Sequence, residues 1–188
     1  ILSSKTISYI EKKVAVRHKY GVLLYRLVNY FHPQNIIEIG TSIGLSSSYI
    51  ALANANASVI SLEGSKQIAK VAKQNQASLQ IKNVEVVIGN FNETLSSSLH
   101  QLSSVDLVFF DGNHTKAATL NYFQQCISKS TEDSIFVFDD IYWSKDMSET
   151  WEEIKQDARV RLTIDVYQFG ICFFRKEKLA KENFVLLY

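Results

Sequence analysis

Apolar residues recur along this chain in two alternating rhythms. Short continuous or period-two runs read as strands, and stretches spaced three and four apart read as helices. Residues 6–16 and 20–31 predict two helices. The second carries Val22, Leu23, Leu27, Val28, Tyr30 and Phe31, and Pro33 ends it. A strand is expected at 35–39, then a glycine-bearing loop, then a helix over 44–54. Residues 58–62 predict a second strand, and Ser65 is placed to cap a helix over 66–78. Residues 84–88 predict a third strand, followed by a helical stretch at 92–101. The run 105–110 is almost wholly apolar, as a strand buried on both faces requires. A helix over 115–128 and a strand at 134–138 come next. Asp146-Met-Ser-Glu149 has the form of a capping box opening a helix over 147–157.

Regular β-α-β alternation argues for a parallel sheet with helices on both faces. The end of the chain breaks the pattern. Strands at 161–166 and 171–175 are separated only by Tyr167-Gln168-Phe169-Gly170, too short for a parallel crossover. The expected fold is therefore α/β and Rossmann-like: a doubly wound, mostly parallel seven-stranded sheet closed by an antiparallel C-terminal hairpin. Residues 1–33 would form N-terminal helices serving as a cap, a lid or a dimer contact. Residues 34–188 would form the main domain, the whole being one compact body.

Composition changes little in this picture. A chain of 188 residues with 46% hydrophobic content is long enough to bury a core. A net charge of +1 demands no nucleic-acid or membrane partner. The first 31 residues are locally basic, with Lys5, Lys12, Lys13, Arg17, Lys19 and Arg26 against Glu11, which reads foremost as a solvated helical surface. Cys126 and Cys172 lie in apolar surroundings without metal-ligand spacing and read as core residues. No run of 18 apolar residues exists. The chain starts at Ile1 without a signal-peptide pattern, so a trimmed, cytoplasmic protein is the expectation.

In open α/β sheets, ligands bind beyond the carboxyl ends of the strands. The first strand exits into Glu38-Ile39-Gly40-Thr41-Ser42-Ile43-Gly44. Gly40 permits dihedrals closed to other residues and removes a Cβ where a ligand must approach. Gly44 lets the next helix pack close while its free N–H groups face the crevice. Dinucleotide binders need G-x-G-x-x-G, but position 42 is Ser and no third glycine follows at 45. A carboxylate at Glu38 suits a ligand with an ammonium group, such as the methionine part of S-adenosylmethionine.

The segment EIGTSIGLSS resembles motif I of the class I S-adenosylmethionine-dependent methyltransferases, in the form typical of the O-methyltransferase branch. The resemblance runs from about residue 20 to 175 and includes the terminal hairpin. It implies a cofactor site built from Glu38, Gly40, Thr41, Ser42 and Gly44, with Asp111 bordering it. Glu63, ending the second strand, can accept both ribose hydroxyls of an adenosine. The family often has an acidic residue by the adenine after the third strand. Here the segment reads Gly89-Asn90-Phe91, so Asn90 would hydrogen-bond the adenine edge and Phe91 would stack on it.

The fourth strand ends in Phe110-Asp111-Gly112-Asn113-His114 and the fifth in Phe138-Asp139-Asp140. Adjacent parallel strands would gather three carboxylates, which repel unless a cation or proton intervenes. Hard oxygen ligands favour Mg²⁺, Mn²⁺ or Ca²⁺, and such an ion would lower the pKa of a bound hydroxyl. Aspartates at strand ends also cap helices and bond loop N–H groups, which is the competing reading. The pattern resembles the methyltransferase branch with DG-x-H and DD at these strand ends. In its metal-dependent relatives the ligand positions correspond to Asp111, Asp139 and Asp140, with Asp replacing Asn at the last. Their catalytic Lys corresponds to His114, which with Asp111 would carry the catalysis, His114 taking the hydroxyl proton. Tyr142 and Trp143 follow and would wall a substrate pocket.

The expected function is thus S-adenosylmethionine-dependent O-methylation of a small hydroxylated molecule, with Mg²⁺ or another divalent ion as a candidate helper and a homodimer left open. Two alternatives stand beside it. One is a non-catalytic adenosine-ligand binder acting through its basic N-terminal helices. The other is an NAD-dependent oxidoreductase, disfavoured by Ser42 and by the closing hairpin.

Overall fold

The computed structural model describes residues 16–177 and 180–188. The helix expected over 6–16 lies, apart from Val16, outside them. The chain divides into two compact units, with the boundary after Thr94.

In the first unit, α1 (His18–Phe31) buries Tyr20, Gly21, Leu24 and Val28 along one face. It stops at His32, whose left-handed backbone (φ 50°) leads into Pro33. Three parallel strands follow, β1 (Asn35–Ile39), β2 (Ser58–Glu63) and β3 (Val84–Ile88), in the order β3-β2-β1. Registers running from Asn35↔Ser58 to Ile39↔Leu62, and from Val59↔Val84 to Glu63↔Ile88, bring all three carboxyl ends to one edge. Helices α2 (Leu45–Ala53) and α3 (Lys66–Ser78) connect them. Ser65 caps α3 as expected, its hydroxyl accepting the Ile68 N–H at 3.4 Å. Ile36, Ile37, Ile39, Ile50 and Leu62 are fully buried and form the core here.

Helix α4 (Phe91–His100) carries the chain across the boundary. The second unit holds β4 (Val105–Phe110), α5 (Lys116–Ile127), β5 (Ser130–Phe138), α6 (Lys145–Gln156), β6 (Leu162–Asp165), β7 (Gly170–Phe173) and β8 (Glu182–Val185). Its strand order is β4-β5-β7-β6-β8. β4 and β5 are parallel, and β7 runs antiparallel to both β5 and β6, so the expected terminal hairpin is present. Phe109, Phe123, Phe136, Phe138, Trp151 and Phe169 are fully buried and pack ring against ring, with Phe110 stacked on Phe138 at 4.3 Å. Each buried ring contributes about 1.5–3 kcal/mol.

Three expectations need correction. The described strands number eight rather than seven, because β8 pairs in parallel with β6. Only four residues long and largely exposed, β8 shows no periodicity to read. Strand β5 starts at Ser130 rather than 134; its exposed first residues hide the strand pattern, and the register with β4 slips between Val105 and Leu107. The last helix is capped by Ser144, whose hydroxyl accepts the Met147 N–H at 3.2 Å, so Asp146 sits in the first turn instead of at the cap. No described helix is long and apolar enough to cross a membrane.

Candidate active site

The exit of β1 is a loop of left-handed backbone. Gly40, Ser42 and Gly44 have φ values of 104°, 51° and 83°. The first two residues are pinned to the end of β2, with the Gly40 and Thr41 N–H groups both donating to the Leu62 carbonyl at 3.0 and 2.9 Å. Gly44 is required twice over. Its φ disfavours a side chain, and a Cβ there would stand 3.1 Å from the Ala72 Cβ. From α3, the Asn75 amide donates to the Ile43 carbonyl at 2.9 Å and further fixes the loop.

Glu38 and Thr41 lie beneath this loop and are both fully buried. The Ser61 hydroxyl donates to Glu38 Oε2, and Thr41 and Ser61 hydroxyls are 2.5 Å apart. The two side chains therefore brace the loop, of which Ser42 alone among residues 40–44 is half-buried rather than buried. Burial pushes the Glu38 carboxyl up to about 7, offset in part by the Ser46, Ser61 and Ser47 hydroxyls. Among the described residues, its buried Oε1 has no hydrogen-bond partner.

Glu63 closes the opposite side of the loop. Its Oε2 accepts the Ser42 N–H and its Oε1 accepts the Ser65 N–H, each at 2.9 Å. Each carboxylate oxygen keeps a further lone pair, so a vicinal diol can donate to both. Asn90 is exposed after β3, and its side-chain oxygen accepts the Asn92 N–H at 2.9 Å, with the half-buried Phe91 opening α4 beside it. The unit thus offers a glycine loop, a carboxylate with two aligned oxygens, and an amide beside an aromatic ring. These fit the methionine, ribose and adenine parts of an adenosylated sulfonium, respectively.

The second unit holds the remaining expected residues. After Gly112, Asn113 and His114 both adopt left-handed backbone (φ 66° and 40°). This curl turns the imidazole back on the strand end, with His114 Nε2 3.3 Å from Asp111 Oδ1. The Asn113 amide anchors the curl by donating to the Tyr122 hydroxyl at 2.7 Å. At the end of β5, Asp139 is buried and Asp140 is half-buried with φ 55°. Burial, then the charges of Asp111 and Asp140, hold the Asp139 carboxyl well above the usual carboxylate range.

Sequence reasoning missed the residue that joins these two acids. The Gln168 Nε2 donates to Asp139 Oδ1 at 3.0 Å and to Asp140 Oδ1 at 3.3 Å. The Gln168 backbone carbonyl accepts the Ile141 N–H at 3.3 Å. The signal lay in the topology: β7 is antiparallel to β5, with Gly170 opposite Phe138, so the turn before β7 must fall at the carboxyl end of β5. The same turn is held by Asp165, which accepts the Tyr142 hydroxyl and, at 2.8 Å, the Tyr167 N–H. Tyr142, Trp143 and Tyr167 present exposed rings beside it, the two tyrosines 5.7 Å apart between centroids.

A metal ion can be tested against this geometry. The hard oxygens of Asp111, Asp139 and Asp140 suit Mg²⁺ chemically. Among the described residues, however, no three His, Cys, Asp or Glu side chains are grouped to hold an ion. Asp139 Oδ1 already accepts the Asp140 N–H at 2.8 Å as well as the Gln168 amide. An ion needs such oxygens at about 2.1 Å and would face the positive end of that amide. The three carboxylates as arranged do not fit a metal. A separate cavity of about 540 Å³, lined by Ser130, Thr131, Arg159 and Arg161 among others, contains none of the expected site residues.

The chain resembles the O-methyltransferase TomG from Streptomyces achromogenes, involved in tomaymycin synthesis and solved with S-adenosylmethionine. Identity is 21%, with 93% of this chain and 92% of that one covered and a TM-score of 0.78. An O-methyltransferase from Bacillus cereus, solved with S-adenosylhomocysteine, matches at 22% identity over 94% and 93% of the chains, with a TM-score of 0.74. The Podospora anserina methyltransferase PaMTH1 matches at 15% identity over 90% and 86%, with a TM-score of 0.76. These identities establish the shared fold. The methyltransferase-domain family matches residues 37–141, from β1 through the Asp139-Asp140 pair. Over half the chain carries that match, and the protein belongs to the methyltransferase-domain family.

Proposed function

We propose that the protein is an S-adenosylmethionine-dependent O-methyltransferase for a small hydroxylated acceptor. The observation that carries the donor assignment is Glu63, whose two oxygens are aligned by the Ser42 and Ser65 N–H groups while the left-handed loop runs beside it. The names of the solved relatives, two of them O-methyltransferases, support the acceptor atom.

When bound, S-adenosylmethionine would supply a sulfonium methyl group, whose carbon an acceptor oxygen would attack in line with the thioether sulfur as leaving group. This chain's contribution is to position and deprotonate. Because His114 Nε2 faces Asp111, its N–H is best assigned there, which leaves the Nδ1 lone pair to take the hydroxyl proton. Asp111 holds that tautomer and stabilises the imidazolium that results. The oxygen would gain the methyl group, the carbon–sulfur electron pair would stay on sulfur, and His114 would hold the proton. The exposed Tyr142, Trp143 and Tyr167 rings offer apolar faces to an acceptor. Assistance by Mg²⁺ through Asp111, Asp139 and Asp140 would require Gln168 to move aside.

Calorimetry with S-adenosylmethionine, followed by detection of S-adenosylhomocysteine on a panel of phenols and aliphatic alcohols, tests this reading. Absence of binding removes the donor assignment. Binding without turnover on any hydroxylated compound, but with turnover on amines or thiols, removes the acceptor assignment.

A further inference from the structure

We infer that Gln168 is a positioning residue that takes the place of a divalent cation between Asp139 and Asp140, so that the site works without metal. The inference rests on the methyltransferase reading above and goes beyond it.

The two acids sit on consecutive residues at the end of β5, and Asp139 is buried. Two carboxylates so close repel, and something positive must lie against their oxygens for both to keep a fixed orientation. The Gln168 amide supplies it. One nitrogen reaches both Oδ1 atoms, at 3.0 and 3.3 Å. An amide carries two N–H donors, so it can serve both oxygens at once.

The Gln168 backbone is itself held from several sides. Its backbone N–H donates to the Val166 carbonyl at 2.9 Å and its carbonyl accepts the Ile141 N–H. The Tyr167 N–H and the Tyr142 hydroxyl converge on the buried Asp165 just before it. Behind it, Gly170 admits the Trp151 ring, to which a Cβ would approach within 2.7 Å. The β6–β7 turn is therefore clamped onto the β5 exit by backbone and side chain alike. A neutral donor fixed in this way orients the carboxylates at no cost in ion binding, and it excludes an ion from the same oxygens.

Gln168→Met keeps the side-chain length and removes both donors, and Gln168→Glu replaces them with an acceptor. Mn²⁺ is the probe, titrated into each protein and followed by electron paramagnetic resonance, with Mg²⁺ competition. The parent protein, treated with chelator, should keep its methyl-transfer activity within about twofold and show little Mn²⁺ binding. Gln168→Met should bind Mn²⁺ about tenfold or more tightly than the parent because the acids lose their internal donor, and Gln168→Glu more tightly still because it also adds a carboxylate ligand. A merely structural glutamine would not create ion affinity when removed. Should Gln168→Met not fold, Gln168→Leu, which also removes both donors and adds no ligand, decides against the parent. Equal Mn²⁺ affinity in parent and variants, or parental activity that chelator abolishes and Mg²⁺ restores, overturns the inference. The Mn²⁺ titration needs no turnover, so it reports on Gln168 even if calorimetry fails to find S-adenosylmethionine binding.

Discussion

The Ser42 N–H donates to Glu63 Oε2 at 2.9 Å, tying the loop after β1 to the residue that ends β2. Ser42 holds a left-handed backbone (φ 51°) to do so, a conformation that costs a non-glycine residue free energy. The carboxylate fixes the loop and, on the proposed function, would also present oxygens to a ribose. Glu63→Ala should therefore weaken S-adenosylmethionine binding by about 10–100-fold, as expected for a hydrogen bond to a charged group. Calorimetry would read this directly, and Glu63→Gln should fall between the two. An unchanged affinity in Glu63→Ala would separate Glu63 from the ligand.

Glu38 makes stability depend on pH. Its carboxyl titrates near 7 in the folded chain against 4.5 in the ordinary state, because burial disfavours the charge. Between those two values the unfolded chain has lost the proton while the folded chain keeps it. Stability is therefore highest below about pH 4.5 for this group and is lost as pH rises through about 7, by on the order of 3 kcal/mol in all. Urea unfolding of the parent and Glu38→Gln at pH 5, 6, 7 and 8 checks the sign. The advantage of the variant should grow across that series, and parallel curves would remove Glu38 as the source.

Gly44 and Gly64 provide a matched pair. Gly44 has φ 83° and an added Cβ would press on Ala72, whereas a Cβ at Gly64 meets nothing within 4 Å. Gly44→Ala should destabilise by about 1–3 kcal/mol in chemical unfolding. Gly64→Ala should stay within about 0.5 kcal/mol of the parent.

His114 and Asp111 are expected to act in turnover and not in donor binding. His114→Asn should lower kcat by about 10²–10⁴-fold, the usual worth of a positioned general base. Its affinity for S-adenosylmethionine should match the parent's by calorimetry. A variant that loses both together would place His114 on the donor instead.

Much of this protein follows from local patterns. The order of the first five strands and their helices, the hairpin, the loop from Glu38 to Gly44 and the candidate residues Glu63, Asp111, His114, Asp139 and Asp140 are all legible in the sequence. Periodicity, glycine spacing and caps depend on neighbours a few residues apart, and β1, β3, β4 and α3 keep their expected bounds. What only the tertiary structure decided depends on residues brought together from afar. Glu38 and Thr41 are both buried, and only the fold shows that Ser61 on the neighbouring strand meets Glu38 Oε2 and the Thr41 hydroxyl. Gln168, 29 residues from Asp139, reads only as part of a turn until β7 is placed antiparallel beside β5. The three aspartates show the same division: composition and position announce a negative cluster, but whether a cation or an amide lies against it depends on which strand comes next in the sheet.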